Sequence, residues 1–290
     1  MNIQTYVEAI EKQGLKSEGV IVMQHGEKIA GHRWIPDTPK VVFSVSKSFT
    51  SIAVGMAIEE GKLNLKDRVI GAFPDKAPNA DERTQALTLE HCLTMSRGYP
   101  EFTRPESVSH VLQQKLSSDP GSIFLYDNAC TFLASAMLTK ATGLTVRDYL
   151  EERLFRPLGI PKPNWEETSD GYTIGGTGLE VSTASLAVFG QFLLQRGNWK
   201  GKQLISASWI DCASRAHIST SDSRHPDYDL GYGYQFWPCR HGAYRCDGKD
   251  GQFVIVFPRE DAVVAITSNE ENMKPILYTV WDTILPQLRD

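Results

Sequence analysis

Much of what usually announces a chemistry is missing from this chain. Its five cysteines, Cys92, Cys130, Cys212, Cys239 and Cys246, are an odd number, are dispersed, and include no C-x-x-C pair. A disulfide framework is therefore not expected; reduced thiols and a cytoplasmic protein are. The seven histidines (His25, His32, His91, His110, His217, His225 and His241) show no H-E-x-x-H or i, i+4 spacing, so no metal site is expected. The net charge is −5 and no basic run occurs, which argues against a nucleic-acid partner. No apolar run approaches the roughly 18 residues of a membrane span. The opening MNIQTYVEAIEKQG lacks the apolar stretch of a signal peptide. A G-x-S-x-G elbow is also absent, which excludes the usual α/β-hydrolase triad.

What is present is length and patterning. With 290 residues, 41% of them hydrophobic, the chain can bury a large core. GVIVMQHGEKIAGHRW reads as two short strands around a His25-Gly26 turn, and KVVF after Pro39 as another extended piece. From Val45 the apolar residues Phe49, Ile52, Ala53, Met56 and Ala57 keep the spacing of an amphipathic helix, which Gly61 ends. From about Leu65 to Gln195 the segments are helical or loop-like. The chain then returns to β-rich runs, GYGYQFWP, AYRCDG, FVIVFP and AVVAITSN, and closes on a helical PILYTVWDTILPQL. Strands at both ends and helices between them predict an α/β (α+β) fold. One antiparallel sheet is built from both chain ends and flanked by helices, with a mostly helical subdomain inserted in the middle. The expected organisation is a single domain over 1–290, with 1–66 and 190–290 forming the α/β subdomain and 67–189 the helical one.

The stretch VVFSVSKSFTSIAVGMAIEEGKL contains the first chemical candidate. Ser44 and Lys47 are three residues apart, hence on one face of a helix. Serine is a weak nucleophile until a base takes its proton, and burial can lower a lysine pKa enough to make it that base. Taken alone, the pair is more often an ordinary capped helix start. The triplet Tyr126-Asp127-Asn128 follows PGSIFL, an apolar β-like run, and precedes a strong helix. It could add a phenol for proton transfer and an amide for a substrate carbonyl.

Together these segments resemble the serine β-lactamase and penicillin-binding protein superfamily, which uses S-x-x-K, Y-x-N and K-T-G. Within it the chain is similar to the class C branch, with its D,D-carboxypeptidase, esterase and aminohexanoate-dimer hydrolase members. The supporting segments are FSVSKSFTSIAVGMAIEEGKLNLKDRV, LTLEHCLTMSRGYP (with Arg97 inserted in the Ser-Gly turn), PGSIFLYDN and GGTGLEVSTASLAVFGQFLLQRGNWKGKQLISASWI. The resemblance implies the β-lactamase/transpeptidase-like fold, a nucleophile at Ser44, its base at Lys47, a proton-transferring Tyr126 and a substrate-contacting Asn128. The third motif departs. Cys246, Asp247 and Gly248 occupy the expected K-T-G, with the Lys249 backbone N–H as a second oxyanion donor. An out-of-register Lys249-Asp250-Gly251 also exists.

The implied function is a serine hydrolase forming an acyl-enzyme on Ser44, carboxylesterase-like, acting on a small ester, amide or peptide-like substrate and needing no cofactor. The rivals are a D-amino-acid-specific peptidase or amidase, a weak β-lactamase, and an acylated sensor that never turns over. The aromatics of GYGYQFWP are expected mainly as core packing, with Trp237 or Tyr234 as the alternative cleft residues, Cys246 as an unreactive packed thiol, and Ser221–Asp229 as a lid or a surface loop.

Overall fold

The computed structural model describes residues 1–220 and 225–288. Its organising element is a six-stranded antiparallel sheet. Strands β1 (Ser17–Gln24) and β2 (Glu27–Arg33) come from the start of the chain. After them come β3 (Lys40–Val41), β4 (Glu180–Val181), β5 (Asn198–Trp199) and β6 (Lys202–Gln203), which form two small separate pairs. The chain end supplies β7 (Trp237–Pro238), β8 (Tyr244–Gly248), β9 (Gln252–Phe257) and β10 (Ala262–Ser268). The main order is β2-β1-β10-β9-β8-β7, so the first and last strands of the chain pair within the sheet.

Local chemistry explains the β1–β2 hairpin. His25 and Gly26 both have positive φ, 52° and 81°, the twist that a two-residue hairpin turn needs. In β9 and β10 every residue is buried, because both faces are covered. Side chains alternate between two cores. Phe253, Ile255, Phe257, Val264 and Ile266 pack with Tyr6 and Ile10 of the Gln4–Lys12 helix and with Ile276, Leu277 and Trp281 near the C-terminus. Val254, Val256, Val263 and Ala265 face the larger core shared with the Ser46–Glu59, Asn128–Thr142 and Thr183–Leu194 helices.

Three segments differ from expectation. The helix after Val45 is not amphipathic: every residue from Ser46 to Ala57 is buried, because the sheet, the Asn128–Thr142 helix and the Ala207–Ser214 helix surround it. In GYGYQFWP only Trp237–Pro238 is a strand. Gly231 and Gln235 take positive φ, 87° and 69°, which breaks the extended run, and Pro238, lacking an N–H, suits the sheet edge. The apolar residues before Tyr126 form no strand and are held by one backbone bond, Leu125 N–H to Met95 O at 2.8 Å. Residues 221–224 of the expected lid lie outside the described residues. Among the described residues no single helix is long and apolar enough to cross a membrane.

The Thr183–Leu194 helix lies close to the sheet at Gly190, where an added Cβ would sit 2.4 Å from Val263 Cγ1 and 2.7 Å from Val254 Cγ1. Gly190→Ala should therefore cost roughly 1–3 kcal/mol through overpacking despite alanine's better helix propensity. Gly71→Ala, at a helical site with nothing within 4 Å, should stabilise by roughly 0.5–1 kcal/mol. Urea unfolding of both variants checks the opposite signs.

Candidate active site

The chain leaves β3 through a 3₁₀ turn, Phe43–Val45, that runs straight into the Ser46–Glu59 helix. Phe43 has φ 47°, an uncommon conformation for a bulky residue. The turn is clamped by Ser46 Oγ, which donates to Phe43 O at 2.5 Å, and by Val42 N–H, which donates to Leu179 O at 2.9 Å. Ser44 is thereby delivered to the wall of a cleft of about 370 Å³, lined also by Phe102, Tyr126, Tyr228, Trp237, Asp247, Lys249 and Met273.

Lys47, one turn on, is 1% exposed. Its Nζ lies 2.9 Å from Ser44 Oγ, 2.5 Å from Asn128 Oδ1 and 2.7 Å from Gly176 O. Burial disfavours the ammonium and lowers the pKa from 10.5 to about 7, against opposing pulls from Asp127 and Cys130. The three partners differ in kind. Two are fixed acceptors, an amide oxygen and a backbone carbonyl; the third is a hydroxyl able to donate. A neutral amine has two N–H bonds for the acceptors and a lone pair left for Ser44.

Tyr126 stands over the same nitrogen, its ring centroid 4.9 Å from Lys47 Nζ, and shares a side-chain hydrogen bond with Ser44. Burial pushes its phenol well above the usual range, so it stays protonated at neutral pH. Asp127 caps the Asn128–Thr142 helix by accepting from Ala129 N–H at 3.1 Å, which seats Asn128 beside Lys47.

The third motif lies on β8. Gly248 packs on the turn that carries Ser44: a Cβ there would sit 2.4 Å from Val42 O. At Gly251, φ 84°, a Cβ would instead meet Ser268 Oγ at 2.2 Å. Gly248, rather than Gly251, is therefore the glycine packed against the turn that carries Ser44. Strand alternation separates the first two members. Asp247 lines the cleft, its Oδ2 accepting from Arg245 Nε at 2.8 Å and Tyr228 OH at 2.9 Å. Cys246 faces the opposite way, into the core shared with the Ser46–Glu59 helix, where burial pushes its thiol up to about 12. The Lys249 side chain is 70% exposed at the cleft.

The β-lactamase family model matches residues 3–284. The chain belongs to the β-lactamase family. Among curated relatives of this family member, the β-lactamase of Yersinia enterocolitica is 28% identical over 173 residues, 54% of this chain and 44% of that protein. Protein flp of Staphylococcus aureus strain N315 is 22% identical over 165 residues, 53% of this chain and 33% of that protein. The matched region thus spans less than half the length of either relative. The octameric penicillin-binding protein homologue from Pyrococcus abyssi superposes with a TM-score of 0.79 at 19% identity, covering 99% of this chain and 78% of that one. That likeness is one of fold.

The structure brings Ser44, Lys47, Tyr126 and Asn128 together and sets Asp247 and Lys249 at the cleft. Cys246 is turned away from it, and Gly248 serves as a close-packing point. Trp237 lines the cleft. Tyr234 does not; it stacks on His217 at 3.9 Å and donates to Glu90 at 2.7 Å. Sequence reasoning missed Gly176, Phe102, Met273 and Arg245, while Tyr228 lies in the Ser221–Asp229 stretch expected as a lid or a surface loop. A signal existed only for Gly176, in GGTG, where a Cβ would sit 3.0 Å from Asn128 Oδ1 and 3.3 Å from Lys47 Nζ.

Four of the five thiols are buried and only Cys212 is partly accessible. Native protein treated with an aromatic disulfide reagent should release at most one thiol equivalent quickly and five after denaturation, and Cys246→Ser should leave the fast phase unchanged.

Proposed function

We propose that this β-lactamase family member is a serine hydrolase that cleaves a small carboxylic ester through an acyl-enzyme on Ser44. The observation that carries the reading is a buried lysine, its pKa drawn to about 7, with Nζ 2.9 Å from the Ser44 hydroxyl. Neutral Lys47 takes the Oγ proton as Oγ bonds to the substrate carbonyl carbon, and the carbonyl electron pair moves to oxygen. The backbone N–H groups of Ser44 and Lys249 are the proposed donors to that oxyanion. When the carbonyl re-forms, the C–O bond to the alcohol breaks. Protonated Tyr126 donates to the departing oxygen and is reprotonated from Lys47. Water then attacks the acyl-enzyme by the same route in reverse, releasing the acid and restoring Ser44. Asn128 holds Lys47 and is the proposed contact for the substrate carbonyl.

The third motif supports an ester over a β-lactam. The position aligned with the family's lysine is Cys246, buried and turned from the cleft. In its place the cleft presents the Asp247 carboxylate, bound to Arg245 and Tyr228. An anionic antibiotic loses a charge-assisted bond worth roughly 1.5–3 kcal/mol, or about one to two powers of ten in rate. A neutral ester needs no such partner, and Phe102, Tyr126, Tyr228 and Trp237 offer it aromatic walls.

The reading has several expected outcomes. A fluorophosphonate should label Ser44 alone by peptide mapping, and Ser44→Ala should lower kcat for a p-nitrophenyl ester by several powers of ten. A burst without steady turnover would instead indicate an acylated sensor. Lys47→Arg should be nearly as damaging as Lys47→Ala, because arginine cannot give up its proton. Wild-type kcat/KM should rise with pH through about 7 as the Lys47 ammonium becomes the amine, and fall on the acid side. Finally, kcat/KM for a short p-nitrophenyl ester should exceed that for a chromogenic cephalosporin. The reverse order sinks the ester reading, and its disappearance in Lys249→Ala would assign the carboxylate contact to Lys249.

A further inference from the structure

Beside Asn128, the residue that holds Lys47, is a buried ion pair that the proposed chemistry does not use. Arg97 Nη2 donates to Asp127 Oδ2 at 2.5 Å, and both side chains are 2% exposed. Asp127 is the middle residue of Tyr126-Asp127-Asn128, and Arg97 is the residue inserted into the Ser96–Gly98 turn. The pair joins separate segments. Asp127 Oδ1 accepts from Thr103 N–H at 2.9 Å and from Ala129 N–H at 3.1 Å; Arg97 Nη1 donates to Val111 O at 3.3 Å. The next side chain beyond Asp127 is Asn128, whose Oδ1 holds Lys47 Nζ at 2.5 Å.

Stability alone does not account for the pair. Burying two charges costs as much as their attraction returns unless every polar atom is satisfied. Here Arg97 Nε is buried with no hydrogen-bond partner. A neutral pair of similar size would hold the same turn at no greater cost. The charges themselves are what such a replacement would lose.

We propose that Arg97 and Asp127 are a positioning pair for Lys47: they seat Asn128 against its amine, and Arg97 cancels the field that the Asp127 carboxylate would otherwise impose on it. The groups facing Lys47 are Ser44 on its own segment, Tyr126, Asn128 and Cys130 at the start of the Asn128–Thr142 helix, and Gly176 O on the loop opposite. Burial raises Cys130 to about 12 and Cys92, behind it, well above its ordinary value, so both thiols are neutral at working pH. Asp247 and Arg245, on β8, act on Tyr126 from the far side as a matched pair. Asp127 and Arg97 are therefore the unlike charges whose balance reaches the amine. The carboxylate favours the ammonium, and by Coulomb's law a guanidinium bound to that carboxylate acts with the opposite sign.

The proposal rests on the hydrolase reading, and the test separates the two. The rate of Ser44 labelling by a fluorophosphonate is followed against pH by intact mass. Wild type is compared with Arg97→Gln, Asp127→Asn, the double variant and Arg97→Lys. Arg97→Gln leaves the carboxylate uncancelled and should move the acid limb to higher pH. Asp127→Asn leaves the guanidinium uncancelled and should move it to lower pH. Each displacement is on the order of one pH unit. The double variant should fall between wild type and Asp127→Asn, because Asp127 is the nearer charge. Arg97→Lys should keep the wild-type midpoint with a slower rate. A common midpoint in all five proteins, with only rate or melting temperature altered, overturns the proposal. If Asp127→Asn does not fold, wild type against Arg97→Gln decides, and if Arg97→Gln does not fold, Asp127→Asn against the double variant decides: a higher midpoint without the guanidinium supports the proposal and a common midpoint overturns it. Absence of Ser44 labelling in wild type at any pH would overturn the hydrolase reading, and this inference with it.

Discussion

The site depends on taking one amine out of water. Lys47 sits inside a helix buried on all sides, and desolvation is the largest influence on it, larger than the pull of the nearby carboxylate. Lowering its pKa from 10.5 to about 7 shifts the balance toward the neutral form, relative to water, by on the order of 5 kcal/mol. A single polar contact is worth far less, so the effect requires a whole layered core around the lysine. The crowding of hydroxyls along VSKSFTS follows from the same burial. Ser46 clamps the turn at Phe43 O, Ser48 donates to Gln235 O at 2.8 Å, and Thr50 donates to Gly175 O at 3.0 Å. Most polar groups of a helix with no solvent-facing side must be satisfied internally; Ser51 Oγ is buried without a partner, and the bonds of Ser46, Ser48 and Thr50 fasten the helix to the segments that complete the site.

Those segments lie far apart in the chain. β1 pairs with β10, so the sheet closes only when both chain ends have folded. Gly248 then lies against Val42 O, which fixes β8 beside the turn carrying Ser44. Gly176 and Asn128 reach Lys47 from the other side of the helix. Three layers converge on one nitrogen and one hydroxyl. The cleft lies where the sheet edge, the Tyr126 segment and the Phe43–Val45 turn meet, with Phe102 and Met273 at its rim.

Legibility in the sequence followed the range of the interactions. The His25-Gly26 turn and the stop at Gly61, φ 68°, are local events and were readable. The strand character of FVIVFP and AVVAITSN was readable because fully buried strands are continuous apolar runs. The expectation of an amphipathic helix failed because spacing reports apolar residues, and here the serines and threonines are buried as well. GYGYQFWP misled for a related reason: aromatics suggest strand, but Gly231 and the left-handed Gln235 bend the chain and send Tyr234 and Trp237 to different places. Arg245 could not be found at all, since its role comes from Asp247, Tyr228 and Cys239 meeting it in space.

By itself the sequence determined the order of elements and the placing of Ser44 and Lys47 on one helical face, because these rest on periodicity and short spacings, and it carried the family resemblance through its motif segments. Tertiary structure alone decided the rest. It decided that Lys47 is desolvated, because no spacing encodes how deeply a helix is buried. It decided that Cys246 faces the core while Asp247 faces the cleft, because strand alternation assigns a face only once the sheet has a position. And it decided that Arg97 meets Asp127, thirty residues on, because a turn and a helix start are brought together only by the packing of the layers around them.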